Sequence, residues 1–260
     1  MFLKYCEKML TKKRISEISK LHLKKYREEL RQSIVEGTKS VLDLLNSDFL
    51  VHEVLGTEKW YSSHAIPQLD KSKFTIVTSK EMERISCLHT PQEVMAIVSF
   101  PIYTLTDIPD QSPLLVLDDI RDPGNLGTII RTAEWFGFKY IICSANCVEL
   151  TNPKTLQATM GSFCRVKLIY TDLVKFFQNT QRPRRVIGTF LEGKSISEID
   201  FHTDDILVIG NESMGISESI SSFINLKVHI PAVSDSRAES LNASVATAIL
   251  LYNFRDRFAK

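Results

Sequence analysis

The chain has 260 residues, of which 43% are hydrophobic, 24% charged and 9% aromatic. This composition excludes a disordered, collagen-like or coiled-coil chain, and the length suits one or two domains. Lys and Arg number 32 against 31 Asp and Glu, so the chain as a whole is close to neutral.

The chain shows neither a membrane segment nor a metal-binding pattern. No apolar run approaches the roughly 18 residues that a spanning helix needs, and MFLKYCEKML carries charges where a signal peptide is apolar. We therefore expect an untargeted soluble protein, most simply cytoplasmic, without membrane contact. The five cysteines form no C-x-x-C and the six histidines no H-x-x-x-H, so we predict neither disulfides nor a metal. Cys143 and Cys147 lie in or beside an apolar stretch, which predicts buried thiols.

The positive charge is concentrated at the start of the chain. Residues 1–40 carry 11 Lys and Arg against 5 Asp and Glu, a net charge of +6. Residues 41–110 carry a net charge of −5, and residues 111–260 are neutral. A basic patch is a possible nucleic-acid footprint, but a solvated helix face explains the same residues, and charge alone favours the solvated face.

The first hundred residues predict a small α/β domain. Residues 13–37 begin with apolar positions at helical spacing and end in the β-like QSIVEG, and residues 38–47 return to helical spacing. FLVHEVL and KFTIVTS are typical of strands, and KEMERIS of a short helix. The domain occupies about residues 12–100, within a segment that we bound at 1–100. PIYTLTDIPDQSP, residues 101–113, has three prolines and predicts a linker.

The remainder, residues 114–260, predicts an α/β domain with a mostly parallel sheet. Five continuous apolar runs are typical of strands buried on both faces: LLVLDDI, KYIICSA, RRVIGTF, DILVIGN and LKVHIP. Helical patterns alternate with them, over residues 126–136, 153–160, 171–179, 217–223 and 241–257. Ligands of such sheets bind beyond the carboxyl ends of the strands, so the loops at those ends are candidate sites.

The first such loop lies in LLVLDDIRDPGNLGTIIRTAEWFGF. Residues 122–125 form a turn, and a helix begins near Leu126 with a buried apolar stripe. Gly127 and Arg131 are four residues apart and share another face, where the absence of a side chain lets a ligand approach above Arg131. The alternative is a plain turn followed by a surface arginine. The fingerprint G-x-G-x-x-G is absent, which counts against a nicotinamide-dependent dehydrogenase.

Two further loops carry weaker signals. Residues 210–215, GNESMG, follow a buried strand, and their two glycines permit unusual backbone angles and exposed N–H groups. A plain turn explains them about as well. After a strand that ends at residues 230–231, a polar loop leads to Ser240, which suits the N-cap position of a strongly apolar helix.

Together, in this order, the three loops resemble the SpoU/TrmH branch of the SPOUT RNA methyltransferases. The family motif N-x-G-x-x-x-R corresponds to residues 125–131, G-N-E-x-x-G to residues 210–215, and I-P followed by S-L-N to residues 230–231 and 240–242. The resemblance covers about residues 114–257. It extends more faintly to KKYREELRQSIVEG, which looks like the family's small ribosomal-protein-like RNA-binding domain. The loop Ala232–Glu239 departs from the pattern, because it lacks the usual glycine and is slightly long.

This resemblance implies a fold, a reaction and a set of partners. The fold is a parallel-sheet α/β domain with a C-terminal trefoil knot, preceded by the small α/β RNA-binding domain. The reaction is transfer of a methyl group from S-adenosylmethionine to a ribose 2′-hydroxyl of rRNA or tRNA. The family is dimeric, so we expect a homodimer whose active site is completed across the interface. A separate N-terminal domain favours rRNA over tRNA.

The resemblance also implies the site residues. The catalytic residues are Asn125, Arg131, Glu212, Ser240 and Asn242. The cofactor-binding residues are Thr189, Phe190, Leu191, Gly210, Asn211, Gly215, Ile230 and Leu241. Within this family the basic patch more plausibly faces RNA, through Lys24, Lys25, Arg27 and Arg31.

The family assigns activation of the hydroxyl to Arg131. A guanidinium is effectively always protonated, so stabilising the alkoxide and holding a phosphate is the safer physical role. Asn125, Asn242 and Ser240 would orient the ribose or Arg131. Glu212 would orient Arg131 or accept the proton.

Two other functions fit the same fold. A non-catalytic RNA-binding protein would be expected to lack Asn125, Arg131 or Asn242, and all three are present. A related SPOUT enzyme that methylates a base nitrogen is disfavoured by the S-L-N and N-x-G-x-x-x-R motifs.

Overall fold

The computed structural model describes residues 9–180 and 184–258. The chain divides into two compact units. Unit 1 comprises Met1–Pro101 and Thr151–Cys164, and unit 2 comprises Ile102–Leu150 and Arg165–Lys260. Within the described residues, no helix has the length and apolarity to cross a membrane.

Unit 1 is built on a four-stranded sheet in the order β1-β4-β2-β3. The strands are β1 Ser33–Glu36, β2 Leu50–Gly56, β3 Phe74–Ile76 and β4 Val94–Ser99. Strand β4 is antiparallel to β1 and β2, and β3 is parallel to β2. The helices before residue 100 are α1 Lys12–Lys20, α2 Lys24–Leu30, α3 Thr38–Leu45, α4 Glu58–Ser63 and α5 Ser79–Ile85. The central strand β4 was not among the strands that the sequence predicted.

The core of unit 1 follows from the spacing of apolar residues on α1. Ile15 and Ile18 are three residues apart, so they share one face of the helix, and both are buried with Leu55 and Met95 of the sheet. Fully burying such a side chain stabilises a fold by about 1.5–3 kcal/mol. Thr11 caps α1 by accepting a hydrogen bond from the Arg14 amide.

A segment from the second half of the sequence also belongs to unit 1. It contains α7 Pro153–Thr159, whose Leu156 is buried. The Ser33 hydroxyl of β1 donates to the carbonyl of Thr151 at 2.9 Å. The ring of Phe163, from the same segment, lies 5.7 Å from that of Phe49. The helix predicted over residues 153–160 is therefore present, but it packs with the N-terminal sheet.

Unit 2 is a six-stranded parallel sheet in the order β10-β8-β9-β5-β6-β7. The strands are β5 Leu114–Leu117, β6 Tyr140–Ser144, β7 Lys167–Thr171, β8 Val186–Ser195, β9 Ile206–Ile209 and β10 Leu226–His229. The helices are α6 Pro123–Trp135, α8 Leu173–Gln178, α9 Glu218–Ser221 and α10 Ala243–Asp256. The predicted parallel-sheet α/β fold is confirmed, with β7 as a strand that the sequence did not predict.

Both faces of this sheet are covered. Leu115 and Leu117 of β5 point into a cluster with residues of α6 and α10. Leu114 and Val116, the alternate residues, point into a second cluster with Phe176 of α8 and Ile220 of α9. This double burial is why the strands are continuous apolar runs.

Strand β8 is interrupted where the sequence predicted a cofactor loop. Consecutive residues Lys227 and Val228 of β10 pair with Gly188 and Lys194 of β8, so residues 189–193 bulge out of the ladder. Thr189, Phe190 and Leu191 were expected after the strand. They lie instead within its bounds, on this bulge.

Candidate active site

The loop after β5 leads directly into α6. The helix begins at Pro123, earlier than the predicted Leu126, because the Asp122 carboxylate caps it by accepting from the Asn125 amide at 2.7 Å. Proline suits this first position because its missing N–H has no partner there in any helix. Asn125 is thereby held in the first turn, at the carboxyl edge of the central strand.

Three of the predicted catalytic residues meet in one hydrogen-bonded chain. The Asn125 Nδ2 donates to the Glu212 carboxylate, and the Asn242 Nδ2 donates to the Asn125 Oδ1 at 2.9 Å. These residues come from the loops after β5, β9 and β10. The sequence motifs therefore converge in space, as expected of parallel strands whose carboxyl ends share one edge.

Asn242 fixes the direction of this chain. Its Oδ1 accepts from the Ser244 amide at 2.9 Å and from the Ser244 hydroxyl at 2.6 Å, which makes Asn242 the N-cap of α10. Since that oxygen is committed, the amide nitrogen is the group that faces Asn125, and Asn125 in turn presents its own nitrogen to Glu212. The Glu212 carboxylate is then the acceptor at the end of this chain.

The prediction that Ser240 caps this helix is wrong. The helix begins at Ala243, and Ser240 lies two residues before the cap in an exposed loop. Both residue types suit an N-cap, and only the backbone geometry decides between them. Ser240 makes no hydrogen bond within the described residues.

Arg131 lies on the exposed side of α6, where it has no hydrogen bond or ion pair to any described residue. Gly127 is buried, so the predicted open space above Arg131 is not formed by Gly127. The exposed face instead carries Thr128, Arg131 and Trp135 at helical spacing, and Trp135 is 84% exposed.

The loop after β9 is a closed hairpin. The Asn211 amide donates to the Gly215 carbonyl at 3.0 Å, and the Gly215 amide donates back to Asn211 at 2.8 Å. The Asn211 side chain donates to the Asp119 carbonyl at 2.9 Å and accepts from the Ser213 amide at 2.9 Å. Asn211 was predicted to bind cofactor, and the structure shows its side chain engaged in holding the loop.

Gly210 is required by the hairpin itself. A Cβ atom there would lie 2.2 Å from the backbone carbon of Gly215 and the nitrogen of Ile216, closer than any real contact. Gly215 has a φ of 67°, a left-handed conformation that glycine adopts without strain. The two glycines of this motif are therefore explained by the loop before any ligand is considered.

Sequence reasoning missed Asp118 and Asp119, which hold the hairpin from the end of β5. Asp118 is buried, and its Oδ2 accepts from the Ser217 amide at 2.8 Å. The Asp118 amide donates to the Ile209 carbonyl at 2.9 Å, so this one residue fastens both ends of the loop. The signal was present in the sequence as two adjacent aspartates near the end of the otherwise apolar run LLVLDDI.

The loop after β6 also supports the site. The Asp119 amide donates to the Ser144 hydroxyl at 2.9 Å, and the Ile120 amide donates to the Cys147 sulfur at 3.3 Å. Cys143 and Cys147 are buried, as predicted. The two thiols interact, and the hydrogen bond from Cys143 lowers the pKa of the Cys147 thiol to about 7.

Apolar side chains are exposed on the bulge of β8 and on the loops after β9 and β10, three strands that are neighbours in the sheet. Leu191, Met214, Val233 and Leu241 are between 44% and 81% exposed. Ile230 is half-buried and packs against the core. Met214 and Val233 were not predicted as site residues, although both lie in the motif loops.

In unit 1, the predicted RNA-binding residues divide into two groups. Lys24, Lys25 and Arg31 are exposed. Arg27 is 5% exposed, and its Nη1 donates to the carbonyls of Leu21 at 3.1 Å and His22 at 2.8 Å. Arg27 therefore contributes to folding, and the prediction that it faces RNA is wrong.

One group in the described residues has the spacing of metal ligands, namely His202, Asp204 and Asp205. The buried Asp205 carboxylate already accepts from Arg185 Nη2 at 2.6 Å and Nε at 3.0 Å. Its charge is thus compensated by a guanidinium, and we assign no metal there.

Comparison with known proteins matches both units. The SpoU rRNA Methylase family model matches residues 112–252, and the MRM3-like substrate binding domain matches residues 12–96. The 23S rRNA (guanosine(2553)-2′-O)-methyltransferase RlmP of Bacillus subtilis is 29% identical over 93% of this chain and 96% of its own length.

Two solved structures are similar over nearly the whole chain. An rRNA methyltransferase from Sinorhizobium meliloti with bound AdoMet is 28% identical, with a TM-score of 0.85 over 97% of this chain and 99% of that one. A TrmH-family structure from Porphyromonas gingivalis is 32% identical, with a TM-score of 0.84 over 96% of this chain and 99% of that one.

Proposed function

Since this chain belongs to the SpoU rRNA methylase family and is an S-adenosylmethionine-dependent rRNA ribose 2′-O-methyltransferase, we propose that it methylates a nucleotide of the large-subunit rRNA. The observation that carries the methyl-transfer activity in this proposal is the hydrogen-bonded chain Glu212–Asn125–Asn242, which joins the three motif loops. The large-subunit substrate is supported by the similarity to RlmP, which is a 23S rRNA methyltransferase.

The chemistry requires a hydroxyl oxygen to attack a sulfonium methyl in line, and much of the rate comes from positioning. S-adenosylmethionine supplies the methyl group. Glu212 and Asn242 hold the Asn125 amide, so Asn125 presents a fixed side chain toward the ribose. The guanidinium of Arg131 stabilises the developing alkoxide and holds a flanking phosphate.

We place the cofactor at the carboxyl ends of β8, β9 and β10. Backbone groups of residues 210–215 and 230–241 would read the adenine, and exposed side chains such as Leu191 and Leu241 would pack on it. This placement is supported by the exposure of apolar side chains on the β8 bulge and on the loops after β9 and β10. Gly210 and Gly215 contribute indirectly, because they shape the hairpin after β9 that carries these backbone groups.

We further propose that the chain forms a homodimer through α6 and α10. We also propose that unit 2 contains the trefoil knot typical of the family. On these helices Trp135, Val245 and Tyr252 are 84%, 46% and 57% exposed, and a second copy would cover them. Arg131 shares the face of Trp135, so the partner would complete the site beside it. Sedimentation analysis should find a dimer, and Trp135→Glu should shift it toward monomer.

Methylation of isolated rRNA tests the activity. Protein incubated with methyl-tritiated S-adenosylmethionine and large-subunit rRNA from a strain lacking the gene should produce one alkali-resistant dinucleotide, because 2′-O-methylation protects the next phosphodiester. RNA from the parent strain is the matched control and should accept little methyl. Labelled tRNA instead of rRNA, or label recovered on a base, would contradict the proposal.

A further inference from the structure

Leu23, Tyr26 and Leu30 form an aromatic and apolar strip on helix α2 of unit 1 and at the residue before it. Tyr26 is half-buried but does not belong to the core cluster around α1. Its hydroxyl makes no hydrogen bond to any described residue. Leu23 and Leu30, three residues before and four after it, are 60% and 49% exposed. By helical spacing Tyr26 and Leu30 share one face of α2, and Leu23 is the extended residue that directly precedes the helix.

Cations border this strip. The Lys20 Nζ lies over the Tyr26 ring at 5.6 Å from its centre, and the Lys25 Nζ lies over it at 5.9 Å, so a base that stacks on the ring would displace at least one ammonium group toward its own phosphate. Neither lysine pairs with a carboxylate among the described residues. By contrast, Lys24 on the same helix lies 3.7 Å from Glu28, so that acidic neighbour is already compensated. Residues 12–31 hold eight Lys and Arg and three Glu, a net charge of 8 − 3 = +5.

A half-buried aromatic ring in contact with two lysines that pair with no carboxylate among the described residues fits one kind of ligand. Single-stranded nucleic acid offers a base that stacks on an aromatic ring and a phosphate that binds a cation. A paired base inside a duplex does not expose its face in this way. The exposed leucines extend the apolar platform beside the ring, which suits a splayed nucleotide better than a surface that contacts phosphates alone.

We propose that Tyr26, with Lys20 and Lys25, binds an unpaired nucleotide of the RNA substrate, the base stacking on the ring and the phosphates contacting the lysines. The proposal rests on the proposed function for the identity of the RNA. It adds a base-stacking residue, and it replaces the buried Arg27 as the centre of the basic patch.

Substitution of the ring tests the stacking. Full-length protein carrying Tyr26→Leu keeps an apolar side chain without a ring, whereas Tyr26→Phe keeps the ring. We expect Tyr26→Leu to weaken binding of a fluorescent single-stranded oligouridine by about tenfold, since stacking of one base contributes about this much. Tyr26→Phe should stay within about twofold of wild type. A duplex of equal length should not distinguish the two variants.

Two controls separate this proposal from others. Lys20→Ala and Lys25→Ala should each reduce the salt dependence of binding by about one phosphate contact, whereas Lys71→Ala, an exposed lysine elsewhere in unit 1, should not. Cofactor affinity and melting temperature should be unchanged in all variants. Equal binding by Tyr26→Leu and wild type, or an equal loss in Tyr26→Phe, would overturn the proposal. If the wild type binds RNA through Tyr26 yet methylates no rRNA, the proposed function fails and this inference stands.

Discussion

At the scale of single residues, Asn125 carries the most demanding requirements, because it both donates and accepts. Asn125→Asp replaces the donor to Glu212 with a second carboxylate and places two like charges together. We expect methyl transfer to fall by about 10²-fold. Proximity raises the pKa of one of the two carboxyl groups, so the remaining activity should increase as the pH falls. A pH–rate profile checks this, with the exposed Asn179→Asp as control. A profile parallel to that of wild type would contradict the expectation.

Arg131 is exposed and has no partner among the described residues, so its removal should alter the free energy of unfolding by no more than about 0.5 kcal/mol. We nevertheless expect Arg131→Ala to lose at least about 10²-fold in methyl transfer while binding S-adenosylmethionine normally. Arg131→Lys separates the possible roles, because lysine loses a proton more readily but lacks the planar fork. Activity that rises with pH would favour a base, and low, pH-independent activity would favour clamping of phosphate and alkoxide.

At the scale of elements, α10 begins at a residue that serves both the helix and the site. Asn242→Asp keeps an oxygen acceptor for the helix amides but loses the donor to Asn125, so we expect an unchanged melting temperature and a large loss of activity. Asn242→Ala also loses the N-cap, which should lower the free energy of unfolding by about 1 kcal/mol. Thermal unfolding and single-turnover rates measured on both variants test this separation. Equal melting temperatures for the two would contradict the assigned cap.

The sequence predicts these elements unevenly, for physical reasons. The strands of unit 2 were recognisable because burial on both faces leaves long apolar runs, and the motif residues identified the loops that converge. Partners of individual side chains were not predictable. In the sequence, Arg27 and Lys25 are both cationic residues of the same basic segment. Only the fold shows that Arg27 donates to the carbonyls of Leu21 and His22. The capping residue of α10 was misplaced because Ser240 and Asn242 both suit an N-cap.

At the scale of the whole molecule, the segment 151–164 determines how the chain can be divided. A fragment of residues 102–260 would expose Leu156 and Phe163, which are 2% and 1% exposed in the intact protein. We expect this fragment to aggregate. The same fragment with residues 151–164 replaced by 14 Gly and Ser residues should remain monodisperse and bind S-adenosylmethionine. Size-exclusion chromatography and calorimetry test both fragments. A monodisperse unmodified fragment would show that residues 151–164 do not require the rest of unit 1 to cover their apolar side chains.

The chain crosses between its two units three times, near residues 101, 150 and 164, and this has a consequence for recombination. Joining the first unit of one homologue to the second unit of another at a single junction would place a foreign α7 on the native β1. Gly161 illustrates the constraint within this segment, since its φ of 91° is a left-handed conformation that glycine adopts without strain. Functional chimeras should therefore require residues 151–164 to be inherited together with residues 1–101, so that gene exchange at two separate places is needed to change the substrate-binding part.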